Sequence, residues 1–316
     1  MVHVTTELEL VRARIGMESP PIGYVIDAGS VRFFADALMD PNPVYRDVAA
    51  ARARGLSGIF APPVFFGGAT GLMNVVAGDR RTMFWNDVLL PDGWFSMATG
   101  DEFQFYSPVK PGMTLIARER MVDAHEKMGR NGRLIFFTYE KVFEARDGSP
   151  VMRRLIKCAA RAPAPASATA PPRRTSDLLA GGGVPIPPLT VGPVTVRYLA
   201  MFATATAEYV DIHYDADYAR SVGLPGPIVQ GLYKTALIGQ MLSRWGGYEG
   251  FVQQLDVQHR SMDLAGSVLT ARGCVISHCE GQSGDGVSCR VWVENQDGVV
   301  TTEGTAVVRH NPTDQD

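Results

Sequence analysis

The chain repeats itself. From Tyr45 to Gly58 and from His213 to Gly226 one pattern recurs at a constant, gapless spacing, pairing Asp47 with Asp215, Arg52 with Arg220, Gly55 with Gly223 and Leu56 with Leu224. The correspondence resumes where Ser107 to Leu115 parallels Ser261 to Leu269, and again where Asp147-Gly148 parallels Asp297-Gly298. Such a duplication restricts the fold to one module built twice, and 316 residues are enough for two units that each bury a core.

Between the copies, from Ala162 to Leu189, Pro, Ala, Gly and Ser dominate, a composition suited neither to a helix nor to a core. This stretch reads as a linker over 162–189, separating a first unit, 1–161, from a later one, 190–316. In the first unit Ser30 is placed to cap a helix with Val31, Phe34, Ala35 and Leu38 on one face, and Asp47 to cap a shorter helix ending at Gly55. The counterparts begin at Thr195 and Asp215. An apolar stretch follows each pair, roughly Val64 to Ala77 and Ile228 to Leu242, with prolines just upstream, which predicts a buried helix. The remainder alternates apolar and polar residues, most clearly at Val287, Cys289, Val291 and Val293, with Asn131-Gly132, Asp147-Gly148 and Asp297-Gly298 as turns. Antiparallel strands with one face covered by the long helix make the predicted class α+β, repeated.

Composition narrows the partners. A hydrophobic share of 46%, a charged share of 20% and a net charge of -3 give no electrostatic reason to expect nucleic acid or an anionic membrane. Glu7, Glu9, Arg12 and Arg14 interrupt what would be the apolar run of a signal peptide, and no stretch approaches a membrane span, so a cytoplasmic protein is expected. Cys158, Cys274, Cys279 and Cys289 lack disulfide-framework spacing, and the Cys274, His278, Cys279 cluster lacks a second ligand pair, so no metal is expected.

The run Glu208-Tyr209-Val210-Asp211-Ile212-His213-Tyr214-Asp215, followed by Gly223-Leu224-Pro225-Gly226-Pro227-Ile228-Val229-Gln230-Gly231, resembles the MaoC-like hydratase family, which includes (R)-specific enoyl-CoA hydratases and 3-hydroxyacyl-thioester dehydratases. Its motif, G-D-x-N-P-[LIV]-H, places an aspartate five residues before a histidine. Here Glu208 stands in place of that aspartate, and Val210-Asp211 in place of Asn-Pro. Asp40-Pro41-Asn42-Pro43-Val44-Tyr45 and Ala61-Pro62-Pro63 are similar to the FAS1-like dehydratase modules found N-terminal to such domains. The resemblance implies a double hotdog, two curved antiparallel sheets each wrapped around a long helix. It also implies hydration or dehydration of an acyl-CoA or acyl-carrier-protein thioester without a cofactor, and, by analogy, a homodimer.

Such chemistry needs a base for the α-carbon proton, an acid for the departing oxygen and donors for charge on the thioester oxygen. By resemblance His213 and Glu208 take the first two roles, and the N-H of Gly231, near a helix start, takes the third. In the other copy Tyr45 replaces His213 and Pro63, which has no N-H, replaces Gly231; Asp40 alone keeps the acidic position, so the first unit is expected to be catalytically silent. Candidate substrate contacts are Asp211, which also rivals Glu208 as the acid, with Gln230, Leu232 and Arg260. Arg260 and Lys234 are candidates for coenzyme A phosphates, and Gly67, Gly68 and Gly71 suggest either close packing or a roomy acyl pocket walled by the first unit. Two alternatives stand beside this reading: a hotdog thioesterase, and a non-catalytic acyl-binding or partner subunit.

Overall fold

The computed structural model describes residues 6–67, 94–129, 132–161, 172–247, 251–279 and 286–309. The first unit opens with helix α1 (Glu7–Arg12), strand β1 (Ile22–Val25), helix α2 (Ala28–Ala37), a 3-10 turn at Pro43–Tyr45 and helix α3 (Val48–Arg52). Strands β2 (Phe95–Phe105), β3 (Thr114–Gly129), β4 (Gly132–Ala145) and β5 (Pro150–Arg161) follow. Then come α4 (Thr175–Leu179), β6 (Val184–Val191), α5 (Val196–Thr206), a second 3-10 turn at Asp211–His213, α6 (Ala216–Ser221) and α7 (Gly231–Trp245). The chain closes with β7 (Phe251–His259), β8 (Leu269–Cys279), β9 (Gly286–Asn295) and β10 (Val300–Arg309).

The strands form one antiparallel sheet in the order β1-β3-β4-β5-β2-β7-β10-β9-β8-β6, so the two units join edge to edge through β2 and β7. The joint carries the duplication into space. Glu102 faces Asp256 at its centre, and the pairs to either side exchange with one another: Gly100 with Gln258 mirrors Gln104 with Gln254. Lys157 lies on this pseudo-dyad, its Nζ 2.8 Å from Asp256 and 3.3 Å from Glu102.

Every residue of α7 from Leu232 to Ser243 is buried, as expected of a helix covered on all sides rather than on one stripe. It begins at Gly231, three residues after the predicted start, because Ile228 is held outside the helix: its N-H donates to Ile212 and it bridges to Leu264. The first unit's matching helix was predicted from Val64 to Ala77. Residues 64–67 are not helical, and the rest of that stretch, with Gly68 and Gly71, lies outside the described residues. Val64 has φ +73°, a left-handed conformation costly for a β-branched residue.

Several local expectations change. Asp27, not Ser30, caps α2; its carboxylate accepts from the Ser30 N-H, which leaves Ser30 inside the first turn. Asp47 and Asp215 cap α3 and α6 as expected, each accepting first-turn N-H groups. The interval read as a linker contains structure from Thr175 onward. Leu178 of α4 packs with Trp292, Cys274 and Val300 on the outer side of the later sheet. The Trp292 indole donates to Thr175 at 3.0 Å, and Arg290 to the Leu178 carbonyl at 2.9 Å. Pro185, Pro187 and Pro188 then lie in β6, an edge strand, where a missing N-H is tolerated.

Cys158, Cys274 and Cys289 are buried free thiols, and the Cys279 side chain lies outside the described residues. Among the described residues no helix is long and apolar enough to cross a membrane, and no group of three or more His, Cys, Asp or Glu is placed to hold a metal.

Candidate active site

Helix α5 ends at Ala207, whose φ of +57° reverses the chain, and the Glu208 N-H returns to the Ala203 carbonyl at 3.0 Å. The first unit turns in the same way, with Met39 at φ +54° and Asp40 donating to Ala35. The reversal leads the later chain into its 3-10 turn, which ends at His213. There Nδ1 lies 2.8 Å from the Ile228 carbonyl. A carbonyl only accepts, so this nitrogen carries the proton and Nε2 presents a lone pair. Burial pushes the His213 pKa down to about 4, partly offset by the bond to Ile228, so the ring is neutral at pH 7.

Glu208, His213 and Gly231 line one cavity of about 320 Å³. Gly231 is the first residue of α7, where the N-H has no carbonyl partner within the helix and the dipole favours negative charge. A side chain there would not fit. A Cβ on Gly231 would fall 2.5 Å from Nε2 of His259.

The first unit contributes to this cavity. Arg154 of β5, 3% exposed, donates from one guanidinium nitrogen to Glu208 at 2.5 Å and from two others to Asp101 of β2 at 2.8 and 2.9 Å. The guanidinium also stands over the rings of Phe66 and Phe103. Asp101 is fully buried and further accepts from His259 at 3.2 Å and Thr235 at 3.3 Å. Burial alone would raise the Asp101 pKa, but the adjacent Arg154 charge and the His259 bond outweigh it and hold the carboxylate ionised. Burial lowers the pKa of His259, with Asp101 acting in the opposite direction. Its Nε2 donates to Asp101, and Nδ1 meets the Thr302 hydroxyl at 3.2 Å.

Of the expected substrate contacts, Gln230, Leu232 and Arg260 line the cavity. Gln230 is buried and donates to the Leu199 carbonyl at 2.8 Å. Arg260 is half exposed and bonds Glu303 at 2.8 Å; Arg173, equally exposed, binds the same carboxylate, so two cations share one anion there. Asp211 does not line the cavity. The 3-10 turn that carries His213 inward sends Asp211 to solvent, where it accepts from the Tyr214 hydroxyl at 2.9 Å. Lys234 lines the cavity but is committed to Asp263 and to the carbonyls of Ser261 and Thr301, so it is not a phosphate contact. Sequence reasoning missed Arg154, Asp101 and His259, although each shares the buried side of its strand with apolar neighbours: Arg154 with Ile156 and Cys158, Asp101 with Phe103, His259 with Leu255 and Val257.

Residues 13–154 match the FAS1-like dehydratase domain region, and residues 187–286 match the MaoC-like domain. A UPF0336 protein of Parafrankia sp. is 33% identical over 144 residues, covering 45% of this chain and 84% of that protein. Among solved structures, a MaoC-like dehydratase superposes with a TM-score of 0.74 at 19% identity, over 95% of this chain and all of the other. A conserved protein of Mycobacterium tuberculosis with a double hotdog fold gives 0.60 at 14% identity, over 95% of this chain and 98% of the other. The fold is the double hotdog.

Proposed function

The chain belongs to the MaoC-like dehydratases, with an FAS1-like dehydratase region ahead of its MaoC-like domain, and on that premise we propose that it interconverts enoyl-CoA and 3-hydroxyacyl-CoA thioesters. The observation that supports the reading is that Glu208, His213 and Gly231 line one cavity, with Nδ1 of His213 engaged by the Ile228 carbonyl. In hydration, Glu208, held by Arg154, and His213 Nε2 together orient a water. His213 takes one proton as the oxygen bonds to C3, and the displaced electron pair moves to the thioester oxygen, where the Gly231 N-H steadies the enolate. The imidazolium, a strong acid in this setting, returns the proton to C2. Dehydration runs the same steps backwards. The positive charge shared by Arg173 and Arg260 suits the phosphates of coenzyme A.

With crotonyl-CoA as probe, loss of the enoyl-thioester absorbance without release of free thiol is the expected result. Thiol release would mean hydrolysis, and no change across a range of acyl chains would mean an idle binding subunit. The pH profile is a second check. Neutral His213 is the working form, so kcat/KM should stay level as pH falls through 6.5 and decline with a midpoint near 4. The unfolded chain binds a proton on this histidine at about pH 6.5 and the folded chain only near 4, so this contribution to stability is likewise lost as pH falls through that window.

Silence of the first unit's own copy rests on Tyr45 and Pro63. Asp40 is 1% exposed, bonds Arg244 at 2.8 Å and does not line the catalytic cavity. Asp40→Asn is therefore expected to leave kcat for crotonyl-CoA within about a factor of two, measured per folded molecule.

A further inference from the structure

The pseudo-dyad that carries β2 onto β7 also carries the catalytic cavity onto a second one, of about 360 Å³, lined mainly by the first unit and closed by Ser243, Phe251, Val252 and Arg309 of the later one. The walls correspond residue by residue. Where the catalytic cavity has His213 the other has Tyr45, and Pro63 stands for Gly231. The pairing of Ser107 with Ser261 places Phe105 at the position of His259 and Tyr106 at that of Arg260, and both line the second cavity. Glu208 has its counterpart in Asp40, which is turned away and paired with Arg244. The positions of His213, His259 and Arg260 have become aromatic rings and that of Gly231 a proline, Ser261 keeps its hydroxyl as Ser107, and the space has stayed open.

A relic without use would be free to fill. Instead the wall keeps Val64 in a left-handed conformation that a β-branched residue adopts at a cost of order 1–3 kcal/mol, the kind of outlier that is retained at binding sites. The remaining lining is aliphatic or aromatic apart from the hydroxyls of Ser107, Ser243, Tyr45 and Tyr106, and among the described residues its one charged member is Arg309, exposed at the surface. A cavity of this size whose side chains are mostly apolar, with a few hydroxyls and one cation at its surface end, is suited to a small amphiphilic ligand. Ser243 lies twelve positions after Gly231 on α7, which sets the two cavities about 18 Å apart along the helix.

We propose that this second cavity is a non-catalytic binding site for a fatty carboxylate, its aliphatic chain among the rings and its carboxylate toward Arg309. The site is separate from the chemistry proposed above and does not depend on it.

Laurate is the probe, titrated calorimetrically into the whole protein whose catalytic cavity is saturated with the unreactive thioether S-butyl-CoA. The expected result is one laurate per chain in the presence of the thioether, weakened about ten-fold or more by Ser243→Phe, with crotonyl-CoA turnover and the melting temperature kept. No binding, or binding abolished by S-butyl-CoA, overturns the proposal, as does undiminished binding in a folded Ser243→Phe protein. Should that variant not fold, a diazirine-bearing fatty acid photolysed on the unaltered protein decides. Label on the peptides of Phe60–Phe65 or Phe105–Val109 supports the site; label confined to those of Ile228–Leu232 or His259–Met262 overturns it. Loss of crotonyl-CoA activity alone would bear on the catalytic reading and leave this one standing.

Discussion

His213→Ala is expected to slow crotonyl-CoA hydration by about 10²- to 10⁴-fold, the usual contribution of a positioned acid-base group. The substitution separates chemistry from folding because the ring has a small structural role. Among the described residues the ring makes one hydrogen bond, from Nδ1 to the Ile228 carbonyl, and the neighbouring Ile228 N-H is held independently by Ile212. Losing a bond of that kind costs about 1 kcal/mol, a minor part of the stability of a protein this size. The effect should fall on kcat more than on KM, since the proton moves only on the way to the transition state. Stopped-flow absorbance on a variant whose thermal unfolding matches the parent is the measurement. A folded variant that keeps the parent rate removes His213 from the mechanism and leaves a cavity without a base.

The same residue shows what the sequence made legible. Glu208, His213 and Gly231 fall within one short segment, so local spacing and the resemblance sufficed to nominate them, and all three line the cavity. Hairpins at Asp147-Gly148 and Asp297-Gly298 were equally local, a tight turn being specified by the residues that make it. Asp211 was misjudged because spacing along a chain says little about which side of a single 3-10 turn a residue takes. The presumed linker misled in another way: its Pro and Gly content hid Leu178, whose burial is set by Trp292, more than a hundred positions away. Arg154 and Asp101 were hidden for a related reason. Besides each other, they bond Glu208, His259 and Thr235 of the other unit, and the duplication, which drew attention to what the first unit lacks, gave no hint of what it supplies.

That contribution predicts the second large effect. Arg154→Lys should lower kcat about a hundred-fold, the scale of an ångström-level misplacement of a reacting group, although the charge is kept. The guanidinium holds two carboxylates at once, Glu208 with one nitrogen and Asp101 with two others. A lysine ammonium cannot reproduce that planar fork, and Asp101, fully buried and nearer the strand, is the better placed to capture it. Glu208 would then lose the donor that aims it at water. Arg154→Met goes further: among the described residues Asp101 is left buried with His259 and Thr235 as its side-chain partners, a loss of about 3–5 kcal/mol. The two variants together distinguish positioning from simple support. If Arg154 only stabilised the fold, Met would lower the unfolding temperature, Lys, which keeps the charge, would lower it far less, and neither would change kcat per folded molecule. If Arg154 positions Glu208, the Lys variant stays folded at the assay temperature and still turns over slowly, with KM for crotonyl-CoA close to that of the parent. The first unit, though it lacks a histidine and an oxyanion donor of its own, would then be indispensable to the chemistry of the later one.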